Sequence, residues 1–254
     1  MVKITKEAHM FLIKDFKGFT TYEKLFFGLF MLVQVAILVY FRIIDGTTDW
    51  LNVVASVSGI LCVIMSAKGR LSTFFYGLIQ VASYGYISYM HKYYGEVGLQ
   101  VVFGIFQFVG LYFWIRNMHS NHLTDDPNVQ EVDSRGLDVK GWGITAIITA
   151  AIYSLVVYLL VSRTDANQPF VDGIATSLSL VGQTLMTLRY KEQWLFWILI
   201  NIVSIFLWAR GMFQNGAIDA AGVTMVVMWI GFLINSVYGY YYWKKLQHVN
   251  VGNR

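Results

Sequence analysis

Eight stretches of the chain are apolar over most of the roughly 20 residues that a helix needs to cross a bilayer core. They run Leu25–Ile43, Trp50–Ala67, Thr73–Met90, Gly98–Ile115, Gly143–Val161, Val171–Leu188, Trp194–Met212 and Ala217–Trp243. The second and sixth are short and carry serine and threonine, so hydropathy alone leaves them marginal. The first reads as a span and not as a cleaved signal, because Arg42-Ile43-Ile44 offers no small-residue cleavage site. Ahead of it, Met1–Phe19 scatters phenylalanines among lysines and suits a helix lying in the membrane interface. The longest connection, Asn117–Lys140, is polar, carries Pro127 and divides the chain in two. The pattern predicts an all-α polytopic membrane protein of eight transmembrane helices.

The two halves match at an offset of about 121 residues, which pairs Ser56 with Ser177, Ser58 with Ser179, Met65 with Met186 and Lys68 with Arg189. The same offset carries Thr73 onto Trp194, Tyr76 onto Trp197, Gln80 onto Asn201 and Ser83 onto Ser204. Each unit holds three helices, and the helix Gly143–Val161 lies between them, so both units point the same way across the membrane. This parallel 3+1+3 duplication, with one extra helix in front, is the plan of carriers that hold substrate between their halves. The chain accordingly divides into an amphipathic segment and extra helix (1–48), a first repeat (49–116), a loop and linker helix (117–165), a second repeat (166–245) and a tail (246–254).

Polar groups at membrane depth are costly and must find partners. On the seventh stretch Trp194, Trp197, Asn201, Ser204 and Trp208 share a stripe roughly 80° wide at helical spacing. On the third, Thr73, Tyr76, Gln80 and Ser83 form the corresponding face. Amides offer an uncharged donor and acceptor, and aromatic faces stack rings or hold cations, so such a face suits a flat polar ligand. Gln100, Gln107, Gln183 and Asn235 are further candidates. The competing role for each amide is to tie helices together. Gln34, in the extra helix, suits packing, and Asp172 and Asp219 stand where a carboxylate suits a helix N-terminus.

Composition narrows this further. The 254 residues are 56% hydrophobic and 13% charged, with a mean hydropathy of +0.53; soluble domains carry about 25% charge. The net charge of +4 does not imply nucleic acid, because the basic residues cluster at the ends of apolar stretches. Of the 19 lysines and arginines, Arg42, Lys92, Arg163 and Arg210 fall on one side and the other 15 on the opposite side. That asymmetry predicts cytoplasmic termini. No Asp, Glu, Lys, Arg or His lies in the middle of a stretch, which favours facilitated diffusion over ion coupling. The five histidines are terminal or interfacial, with no metal spacing, and no nucleophile–base pair or phosphate loop appears. The reading is of a non-enzyme without cofactor or metal. The single cysteine, Cys62, fits small-residue packing.

The run Trp194-Leu195-Phe196-Trp197-Ile198-Leu199-Ile200-Asn201 resembles the W-x-x-W-x-x-x-N signature of the nicotinamide riboside transporter (PnuC) family. Ser177–Met186, Phe75–Gln80 and Tyr93-Tyr94-Gly95-Glu96 are similar to that family's neighbouring segments, so the likeness spans about Trp50 to Trp243. It implies vitamin B3 uptake into a bacterial cell through the inner membrane, for pyridine nucleotide biosynthesis. It also implies trapping by a cytoplasmic nicotinamide riboside kinase, and a fold akin to SWEET sugar carriers, though the in-helix prolines of those carriers are missing. Thiamine, another aromatic cation, and riboflavin are alternative substrates, and a ligand sensor that does not transport is an alternative of another class. Homo-oligomerisation stays open.

Overall fold

A computed structural model of the protein describes residues 14–44, 46, 50–90, 94–120, 130–164, 169–214 and 220–252. Among them eight helices follow one another: α1 (Thr21–Ile44), α2 (Trp50–Ala67), α3 (Ser72–Met90), α4 (Tyr94–Ile115), α5 (Val139–Arg163), α6 (Pro169–Thr187), α7 (Gln193–Gln214) and α8 (Ala220–Gly252). Six of these are long and apolar enough to span a membrane; α3 and α6 are not. Helix α6 is thus as marginal as its hydropathy suggests; α2 is not, since Ile60, Leu61, Val63 and Ile64 outweigh its serines, whereas α3 is diluted by its own serines, threonine and glutamine. The outer surface is that of a membrane protein, with Leu29, Leu32, Ile105, Ile147, Leu155 and Phe206 exposed.

Local chemistry sets the helix starts. Thr20 and Glu23 form a reciprocal capping box at α1, with Thr20 N donating to Glu23 Oε2 (2.5 Å) and Glu23 N to Thr20 Oγ1 (3.3 Å). Asp138 accepts from Gly141 N (2.7 Å) to cap α5. The backbone of Ser72, at the start of α3, donates to Asp15 of the N-terminal segment (2.9 Å). Residues 1–13 of the segment expected to lie in the interface, like Asp219, fall outside the described residues.

The helices pack as two triplets. In the first, α3 lies between α2 and α4; in the second, α7 lies between α6 and α8. The triplets meet along two seams, α2 against α8 and α4 against α6. Helix α5 packs on α6, and α1 on both α8 and α2.

The turns joining the first two helices of each triplet are built alike. Gly69 (φ 64°) and Arg189 (φ 66°) are both left-handed. Arg70 N donates to Met65 O, and Tyr190 N to Leu185 O, each closing its helix with a Schellman bond. The equivalence continues in the tryptophans: Trp114 Nε1 donates to Met186 O and Trp243 Nε1 to Ser66 O, both at 3.1 Å and both across a seam. Ser66 and Met186 touch each other and stand 120 residues apart. The geometric register is therefore one residue shorter than the sequence match. Arg189 occupies the left-handed place of Gly69, and the resemblance of Lys68 to Arg189 in charge had drawn the alignment off by one. One residue turns a helix face by about 100°, so Gln80 and Asn201 are not counterparts.

The connection after α4 is not purely irregular. Met118–Ser120 and Gln130–Val132 pair antiparallel as β1 and β2. The chain then runs beneath both turns. Val132 N donates to Gly69 O (2.9 Å), Arg135 N to Arg189 O (2.8 Å), and Lys191 N returns a bond to Arg135 O (2.9 Å).

Candidate functional site

The tight turn at Arg189 launches α7 so that its first aromatic residue, Trp194, points at α8. Its ring fills the space left by Gly239, where a Cβ would lie 2.6 Å from the indole. Trp194 is 2% exposed and meets Trp243 edge-on at 6.1 Å. Phe74 of α3 repeats the arrangement against Gly110 and Trp114, at 5.0 Å. These rings, with Ala67, Val132, Met186 and Leu246, form one cluster that closes the turn end of the bundle.

One helical turn deeper, Trp197 is half-buried and reaches both neighbours. It stands edge-on to Phe103 of α4 (6.2 Å), and a Cβ on Gly182 of α6 would lie 3.5 Å from its ring. Amides surround this position along the chain. Gln183, next to Gly182, is buried with its Nε2 unpartnered; Gln100 and Gln107, flanking Phe103 on α4, are buried with Oε1 unpartnered. Gln107 lies in the gap that Gly77 leaves on α3, and Gln100 against Gly85. Each unsatisfied buried polar atom costs about 1–3 kcal/mol, which a ligand's complementary groups would recover.

Asn201, two turns along α7 from Trp194, is buried and donates through Nδ2 to Ser236 Oγ of α8 (3.0 Å). Ser204 is buried one turn further. Asn235 donates to Val63 O of α2 at 2.7 Å, which ties the α2–α8 seam. Gln80 is half-buried, with its Cγ 3.1 Å from the Cβ position of Gly59. Tyr76 turns away, edge-on to Phe16 of the N-terminal segment at 6.3 Å. Gln34 is 1% exposed on α1 with both amide atoms unpartnered. Asp172 stands in the first turn of α6, and Cys62 pairs locally with Thr73, whose hydroxyl donates to Cys62 O (2.9 Å). Among the described residues no three His, Cys, Asp or Glu side chains gather as a metal site would need.

Two features escaped sequence reasoning. Trp229 of α8 packs edge-on against Tyr84 (6.2 Å) and Phe232 (5.4 Å), with its indole N–H unpartnered. It bridges the apolar clusters of both triplets. A tryptophan in mid-span, away from the interfacial belts where the residue usually sits, was the available signal. The second feature is ionic. Glu23 accepts Lys68 (3.2 Å) and the Tyr238 hydroxyl (2.7 Å); Glu131 pairs with Arg70 (3.7 Å) and accepts the Tyr242 hydroxyl (2.8 Å). Lys68 also lies over the Tyr242 ring at 4.5 Å. Burial pushes the Glu131 carboxyl up and the Lys68 ammonium down from their usual values, and each is drawn back by its opposite charges. Arg70 additionally donates to the carbonyls of Asp15 and Lys17.

A family described as nicotinamide mononucleotide transporter matches residues 49–245. A nicotinamide riboside transporter PnuC from Neisseria mucosa is 36% identical over 91% of this chain and 84% of its own length. One from Haemophilus influenzae is 33% identical, over 90% and 92%. A crystal structure of the vitamin B3 transporter PnuC superposes with a TM-score of 0.84 at 34% identity, covering 94% of this chain and 97% of the other.

Proposed function

This chain belongs to the PnuC family, and on that premise we propose that it carries nicotinamide riboside across a bacterial inner membrane by facilitated diffusion. The observation that carries the reading is Trp197, half-buried against Phe103 of α4 and Gly182 of α6, two helices that each bury glutamines with an unpartnered side-chain atom. A pyridinium ring suits an indole face, and a carboxamide and ribose hydroxyls suit Asn201, Gln183, Gln107 and Gln100. Trp194, Ser204, Gln80 and Asn235 support this shell from α7, α3 and α8. Tyr76 is the outlying member of the assigned set, since its ring contacts the N-terminal segment.

The two seams and the bonds recurring at 120 residues support a duplicated 3+1+3 carrier with the substrate between triplets. The divisions at 49–116, 117–165 and 166–245 follow that plan. The ionisable residues of the eight helices lie toward helix ends, which supports uniport, with a cytoplasmic nicotinamide riboside kinase holding the product inside.

Nicotinamide mononucleotide is the second reading, after the family's description. Its phosphate would bring negative charge to side chains that are all neutral, which favours the riboside. Counterflow in proteoliposomes with riboside, mononucleotide, thiamine and riboflavin decides among these. Exchange of the riboside, without proton or sodium gradients, is the expected result. Exchange that collapses when those gradients are dissipated would sink uniport, and riboside binding without exchange would make the protein a sensor.

A further inference from the structure

The segment that follows β2 is bonded to both triplets at once. Its Val132 N holds Gly69 O in the first, and its Arg135 N holds Arg189 O in the second. If the triplets part at this end to let a substrate through, one set of bonds must break. We propose that residues 131–137 are a strap across the end of the transport pathway, fixed at the α2–α8 seam and released from the α6–α7 turn whenever that end opens. The proposal rests on the transport reading above.

The two attachments differ in depth. At the α2–α8 seam, Val132 is wholly buried in the cluster that holds Trp114 and Trp243. Beside it the Glu131 carboxylate, 1% exposed, joins Arg70 of the first triplet to Tyr242 of the second. Pulling this end free would strand buried charges in an apolar surrounding. The other attachment is shallow. It includes the paired backbone bonds between Arg135 and the turn, a bond from Leu137 N to the buried Glu192 Oε2 (3.1 Å), Arg135 over the Tyr190 ring at 4.8 Å, and Leu137 packed on the edge of the α6–α7 cluster. Arg135 is exposed, so water can replace its own bonds to the turn at little cost, and among the described residues no ion pair between buried charges holds this end as one holds the other. Arg189 of the turn is repelled by Arg135 of the strap and attracted by its Asp133, so charge does not fasten this end as the Glu131–Arg70 pair fastens the other. Directly after this turn, Gln193 begins the helix that carries Trp194, Trp197 and Asn201.

Arg135 and Tyr190 are partners in a parallel bridge with their side chains together. Arg135→Cys with Tyr190→Cys, in a Cys62→Ser background, therefore staples the shallow attachment. Oxidation should lower nicotinamide riboside uptake into proteoliposomes at least tenfold and leave its dissociation constant within twofold, and reductant should restore uptake. Fully cross-linked protein that transports at the reduced rate overturns the strap. Hydrogen exchange reads the same device without substrate. The Arg135 and Lys191 amides should exchange at least tenfold faster than that of Val132, and equal or slower exchange also overturns it. If the Cys62→Ser parent takes up no nicotinamide riboside, the substrate reading fails alone, and the exchange comparison still decides the strap.

Discussion

Trp197 is the side chain on which ligand affinity should turn, because its ring is held by neighbours on two helices yet remains half-buried. Losing a cation–π partner in a desolvated site costs about 2 kcal/mol. Trp197→Ala should then weaken nicotinamide riboside about thirtyfold, and Trp197→Phe less, as measured by calorimetry on purified protein. Asn201 poses a subtler question, since its amide nitrogen already has Ser236 as a partner. Asn201→Leu should weaken the riboside at least fivefold, the low end of the about 1–3 kcal/mol for an unsatisfied group. Ser236→Ala should change affinity far less. Equal effects in that cycle would make the pair a helix tie and nothing more. Helical spacing puts the tryptophan–asparagine stripe on one side of α7, but spacing does not tell which neighbour each member meets: Trp194 and Asn201 contact α8, and Trp197 contacts α4 and α6. Glu131 was not legible, since a loop has no period from which to infer burial, and its partners Arg70 and Tyr242 lie far away in sequence.

At the scale of elements, hydrophobic length located every helix but not its exact ends, which caps and polar extensions decide. Helix α8 runs past Trp243 through Lys244, Lys245 and Gln247, and Leu246 there is wholly buried in the aromatic cluster. Side-chain identity also set the repeat one residue out, because backbone handedness at Gly69 and Arg189 leaves no trace in hydropathy. Close helix approach depends on single glycines. A methyl group at Gly239 would meet the Trp194 ring at 2.6 Å, whereas one at Gly98 meets nothing within 4 Å. Gly239→Ala should therefore cost about 1–3 kcal/mol through overpacking, and Gly98→Ala should be neutral or gain about 0.5–1 kcal/mol in helix propensity. Thermal unfolding in detergent compares the two, and equal midpoints would remove the claim that Gly239 sets the α7–α8 spacing.

For the whole molecule, an even number of helices and the placement of 15 of 19 basic residues on one side predict that both termini are cytoplasmic. Reporter fusions at either terminus should be active only there, and periplasmic activity would invert the topology. The two seams are unequally fastened. Helix α1, the Glu23 and Glu131 carboxylates and Asn235 all bind α2 to α8, whereas between α4 and α6 the described residues show the bond from Trp114 to Met186 O and no ion pair. Hydropathy revealed the eight helices but not this inequality, which resides in a few polar contacts between distant segments.

The buried cations at the end of α2 also bear on the order in which the chain matures at the ribosome. Lys68 and Arg70 both have partners that were synthesised earlier: Glu23 for the one, the Asp15 and Lys17 carbonyls for the other. The tyrosines of α8 arrive some 170 residues later, as the spacing of Asn235 from Val63 on the same seam indicates. Lys68 can thus be neutralised by Glu23 at once, and Arg70 can be held by those carbonyls until Glu131 emerges, both before α8 is made. Glu23→Ala removes that early partner, and a buried charge left alone costs about 3–5 kcal/mol. Its effect should appear as degraded, incompletely inserted chains during synthesis, with near-normal binding in the molecules that reach completion. Pulse-chase labelling of Glu23→Ala beside Tyr238→Phe separates the two moments, since only the first should be lost before α8 has left the ribosome.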